Sequence, residues 1–151
     1  MTARPTAMPT AALLLLALVG CATAGTVRPS AGVRTVGGDP GYSVAYVGAT
    51  PKPRSILAPG QTVAFNVTVE YRLESAQRGT LGLVIQDETG RSLTPERKQV
   101  SQQVERGAGR ITFSDTVIVP PGVRGVQLFI PLFPELMNSS TGELVILYRV
   151  R

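Results

Sequence analysis

An all-β domain is what this 151-residue chain predicts: a two-layered sandwich of about seven antiparallel strands. Three observations point there. Residues 62–73 alternate without a break, with Val63, Phe65, Val67, Val69, Tyr71 and Leu73 on one face and polar or small residues on the other. Further short apolar runs follow at similar spacing, most closed by glycine, proline or both. No helical period competes with them beyond the first twenty positions. Strand number and size also fit a small barrel, so that alternative stays open.

The strands are read in chain order. Residues 42–48 place Tyr42 and Tyr46 on one face. Pro59-Gly60 turns the chain into 62–73. Leu81, Leu83 and Ile85 alternate through 80–87, and Asp87-Glu88-Thr89-Gly90 ends that strand in a turn. A polar strand around Val100 and Val104 covers 99–105, as expected of a sheet edge. Glu105 to Gly109 reads as a hairpin turn into 110–119, where Ile111, Phe113, Val117 and Val119 share a face before Pro120-Pro121-Gly122. Val126, Leu128 and Ile130 define 125–130. The last strand, 143–150, carries Leu144, Ile146, Tyr148 and Val150 on one face, and Val145 and Leu147 on the other predict cover on both sides.

Over 42–151 this pattern resembles immunoglobulin-like and fibronectin type III-like domains. The resemblance is one of architecture and implies Greek-key connections between two packed sheets. The Cys…Trp…Cys hallmark is absent, because the chain has no tryptophan and its one cysteine lies upstream.

The first twenty residues have the layout of an export signal. Arg4 starts it, and Ala11 to Val19 form an apolar core of about nine residues, too short for the roughly 20 that span a bilayer. Leu18-Val19-Gly20-Cys21 resembles the lipobox of bacterial lipoproteins. That resemblance implies cleavage between Gly20 and Cys21 and acylation of Cys21. Ala22-Thr23-Ala24 offers a competing site for ordinary signal cleavage, which would discard the cysteine. The expected layout is a signal peptide at 1–20, an acylated cysteine and flexible linker at 21–41, and a β-domain at 42–151. The expected address is the bacterial cell envelope, lipid-anchored, with the periplasmic face of an outer membrane favoured where two membranes exist.

Composition narrows the chemistry. The chain has no histidine and a single cysteine, which excludes histidine-dependent nucleophilic triads, Cys-His pairs, ordinary zinc sites and structural disulfides. Net charge is +5, and arginine supplies 13 of 15 basic residues, scattered singly. With no stripe of basic and aromatic residues, no nucleic-acid partner is expected. Asp87, Glu88 and Asp115 are the acidic residues to consider for calcium or acid–base work, but nothing pairs them and no calcium-loop spacing appears. Gly107-Ala108-Gly109-Arg110 lacks the helix and lysine of a phosphate loop. Asn66 and Asn138 match the glycosylation acceptor pattern by coincidence. No catalytic residue, metal or cofactor is therefore expected.

The unusual stretch is 129–137. Pro131 and Pro134 interrupt a strand, yet the segment stays apolar. Phe129, Leu132, Phe133, Leu136 and Met137 either form an exposed partner-binding loop or fold inward over the core. The function expected is that of a non-catalytic envelope lipoprotein acting through contact with an envelope protein. A carbohydrate or cell-wall binding module is the alternative, with Tyr42 and Tyr46 as its only aromatic platform.

Overall fold

The structure, a computed structural model, describes residues 32–36, 41–93, 100–137, 139–140 and 142–151. The signal segment, Cys21, the Ala22–Ala24 site and Asn138 lie outside the described residues.

Seven strands form one sheet among the described residues: β1 (Val33–Val36), β2 (Tyr42–Thr50), β3 (Ile56–Leu57), β4 (Thr62–Asp87), β5 (Val100–Ile118), β6 (Gly125–Pro134) and β7 (Gly142–Val150). The path runs β1-β7-β6-β4-β2, with β5 on the other edge of β4 and β3 beside the end of β7. Pairing is antiparallel except between β3 and β7, where Ile56 faces Arg149. The ends of the path, β1 and β2, touch without pairing, and β2 also packs on β7. The chain is thus all-β, with its sheet nearly closed into a barrel.

The bend that allows this closure is in β4. The strands read separately at 62–73 and 80–87 are one strand, and the described parts of those read at 99–105 and 110–119 belong to one strand, Val100–Ile118. Between the pairs Leu73–Gly107 and Arg78–Glu105, four residues of β4 stand against one of β5. Such a bulge bends and twists the ribbon sharply. Before the bend β4 shares its second edge with β2; after it, with β6. The expected hairpin at Glu105–Gly109 is therefore this bend, with β5 passing straight through it. Gly107 sits at the bend with φ 120°, a conformation that side-chain-bearing residues avoid. Gly109 leaves room for a neighbour: a Cβ there would lie 2.6 Å from the far end of the Tyr71 ring across the ladder.

The alternation read from the sequence is what fills the interior. Phe65, Val67, Val69 and Leu73 of β4 point in, as do Leu128 and Ile130 of β6 and Leu144 and Ile146 of β7. Phe65 packs on Tyr148 at 5.2 Å between ring centroids, so the first half of β4 faces β7 across the core. The Tyr148 hydroxyl donates to the Pro51 carbonyl at 2.8 Å. Burial pushes the Tyr148 phenol above its usual pKa, and nearby Tyr46 adds to that.

Two boundaries need correcting. β1 falls within the stretch read as linker, 21–41, so the folded unit starts before Tyr42. Four residues between glycines show too little periodicity to be seen alone; their partner β7 defines them. β6 also runs through Pro131 to Pro134. Its ladder with β7 is continuous past Pro131, but the ladder with β4 breaks between Leu81 and Val84. The N–H that Pro131 lacks falls on the β4 side, and the sheet tolerates the gap.

Candidate functional site

The structure divides the five residues of the proposed 129–137 loop. Leu132 is fully buried and belongs to the core, and Phe129 is a half-buried outward residue of β6. Neither is part of a loop. Phe133, Leu136 and Met137 remain at the surface, Leu136 almost fully exposed and with φ 68°. Phe133 is an outward residue of β6 opposite Thr80, while Leu136 and Met137 lie in the turn that follows, where Glu135 N–H donates to the Arg78 carbonyl at 2.8 Å. Met137 is engaged, accepting from the Tyr42 hydroxyl at 3.5 Å.

The aromatic platform for a sugar does not form. Tyr42 is buried and Tyr46 is packed against the core from the inner face of β2. A carbohydrate ring stacks on an exposed aromatic face, and these two faces are occupied by protein.

The three acidic residues stay apart in role. Asp87 is buried and accepts from the Thr89 hydroxyl at 2.6 Å, the Thr89 and Arg91 amides at 2.9 and 3.0 Å, and the Arg91 guanidinium at 3.1 Å. The Thr89 hydroxyl bond leads in holding its carboxyl down to about 2. It ties the turn after β4. Glu88 is held below its ordinary pKa by its own amide first, then by those of Arg124 and Gly125. Asp115 accepts from the Thr116 amide at 2.8 Å. No group of three or more His, Cys, Asp or Glu comes together among the described residues. Asn66 lies inside β4, where it accepts from Ser114 at 2.6 Å.

One edge of the sheet is open. β5 pairs with β4 alone, and its other side meets no strand among the described residues. Which residues point outward follows from Val119, whose N–H and C=O both bond the segment leading into β4, at Gln61 and Gly60. Backbone groups alternate sides along a strand, so odd residues of 107–117 serve β4. Ala108, Arg110, Thr112, Ser114 and Ile118 then turn N–H and C=O to solvent. Thr116 shares that side, and its N–H is the one Asp115 caps. Several outward side chains are polar and tied to β4, Thr112 to Thr68 at 2.8 Å and Arg110 to Glu70 at 2.5 Å, while Ile118 is exposed and apolar. The sequence placed a polar edge at 99–105; the edge is nearly three times longer, because 110–118 belongs to the same strand.

No protein-family model matches the chain, and no curated protein matches it.

Proposed function

We propose that this protein is an envelope lipoprotein, anchored through Cys21, whose β-domain is a non-catalytic module that binds an envelope protein by adding a partner strand to β5. The observation that carries the reading is the β5 edge: a strand of 19 residues whose second side has no partner among the described residues. Unpaired edges of that length are templates for strand addition, and proteins normally keep them short, bulged or covered. The immunoglobulin-like form belongs to the same proposal. It is supported by the strand number and by the way the bent sheet packs β4 against β7.

Proline substitution separates the edge from the fold. Thr112→Pro removes an outward N–H and leaves the β4 ladder intact, so the domain should stay folded and lose its partner. Phe113→Pro removes an N–H that bonds β4 and empties a buried core position, and should cost about 3 kcal/mol or more. A photo-crosslinking residue at position 112 in intact cells should trap a discrete protein. Retention of that crosslink by a Thr112→Pro chain with the probe at position 114 would sink the strand-addition reading.

A further inference from the structure

A second surface, on the outer side of β6, β7 and β1, combines exposed apolar residues with three arginines that have no carboxylate partner among the described residues. Its outer residues lie in rows set by the ladders. Val84, Phe129, Val145 and Arg34 are side by side in one row. Gln86, Gln127 and Leu147 form the next, where Leu147 N–H donates to the Gly32 carbonyl at 2.7 Å. Gly125, Arg149 and Ile56 form the third. Over the last two rows opens a groove of about 630 Å³ whose walls include Arg54, Arg124, Arg149, Ile56, Leu147 and Glu88. Ile56 is 59% exposed and Leu147 41%, so the cover the sequence predicted for both faces of β7 is incomplete here.

The arginines of this face differ from three that are paired elsewhere. Arg72, Arg91 and Arg110 are paired with Glu74, Asp87 and Glu70. Arg34, Arg124 and Arg149 have no carboxylate partner among the described residues. The one acid in the groove, Glu88, accepts from the Arg124 and Gly125 amides at 3.3 and 3.2 Å. Its carboxylate is thus bonded to backbone amides, with no guanidinium among the donors. Glu143, the remaining acid on the outer side of β7, is bonded by Ser140.

The chain itself indicates what lies over this face. Gly32, on the rim of the groove, follows Cys21 by eleven residues. At no more than about 3.6 Å per residue, Gly32 stays within about 40 Å of the cysteine. We infer that this face docks on the anionic phospholipid surface that holds the anchor. Arg34, Arg124 and Arg149 meet headgroup phosphates, while Ile56 and Leu147 enter the interfacial layer. The inference rests on the lipoprotein reading for its geometry and sets the orientation of the module: the 107–118 part of β5 is turned away from the bilayer.

The chain contains no tryptophan, so Gln127→Trp, between the groove and Phe129, gives a single fluorescent reporter on this flank. Thr112→Trp gives its counterpart on β5. The full acylated protein is reconstituted in vesicles of phosphatidylcholine alone, or with about a third phosphatidylglycerol, each carrying brominated chains. Flotation with neutral vesicles reads the anchor; quenching reads the face. The flank reporter should be quenched in anionic vesicles only. The quenching should vanish in about 1 M salt, where screening falls to about 3 Å, and in Arg34→Gln/Arg124→Gln/Arg149→Gln. The β5 reporter should not be quenched. Each arginine near the surface is worth about fivefold in binding, so the triple change should weaken docking on the order of 100-fold. Chains that float with anionic but not neutral vesicles would keep the face and remove the anchor. Equal quenching of both reporters, quenching indifferent to lipid charge and salt, or burial of the flank reporter in a dimer with no vesicle present would overturn the inference.

Discussion

Asp87 accepts four hydrogen bonds within the turn that follows it, and that turn shapes the rim on which Glu88 and Arg124 meet. Because its carboxyl is held near 2, against about 3.9 in an unfolded chain, the folded state favours the ionised form. The stability this contributes is complete above about pH 5 and is lost as pH falls from about 4 towards 2. Asp87→Asn should melt below the native protein at pH 7, and the gap should close across that acid window. A gap in melting temperature that is constant from pH 7 to 2 would show that shape, not charge, is what the turn needs. The bend makes a parallel case for glycine. Gly107→Ala places a side chain at φ 120° and should cost about 1–3 kcal/mol in urea unfolding. Gly109→Ala meets the far end of the Tyr71 ring, which can swing aside, so it should cost less and raise Tyr71 exposure.

At the level of elements, the long strands show what periodicity conveys and what it leaves out. Alternation placed Val63 to Leu73 and Leu81 to Ile85 inward, and they are inward. It could not show that one strand carries both runs. The four extra residues at 74–77 and the glycines at 107 and 109 look locally like turns, and only the pairing of β4 with β5 reveals a bulge. Pro131 misled in the opposite sense. A missing N–H is tolerable where the ladder can lapse, and which side of β6 it falls on depends on register, which no single strand encodes. The 129–137 segment was legible as unusual and as apolar, but its division into core at Leu132 and surface at Leu136 was not. β1 was invisible for a related reason, since Val33 gains its buried place only against β7. Removing that place makes a prediction specific to alternate residues. Val33→Asp should release β1 at a cost of about 1–3 kcal/mol. The amides of Val145 and Leu147, which point towards β1, should then exchange faster, while those of Leu144 and Ile146, bonded to β6, keep their protection. Equal acceleration along β7 would mean that the β6 pairing depends on β1 as well.

For the whole molecule, the separation of address from fold becomes a physical claim. The buried hydrophobic core among the described residues draws on positions 33 to 150, and no helix among those residues is long and apolar enough to cross a membrane. Any hold on the bilayer through Cys21 would then be a matter of acyl chains, worth about 0.8 kcal/mol per buried methylene, so that two or more chains anchor stably where one is marginal. The two β-surfaces would use that anchor differently. The arginine-bearing flank would face the lipid and limit the rotation of the domain, and the open β5 edge would be presented outward at a fixed height. Cys21→Ser tests the division. It should abolish partition into a detergent phase, or stall maturation, while the melting temperature of the domain changes by less than about 1 °C, because no core residue is touched. If Cys21→Ser and native protein partition alike and the native N-terminus is Gly25, the anchor fails and the flank alone must supply membrane contact. That contact would then be salt-sensitive, whereas acyl insertion is not.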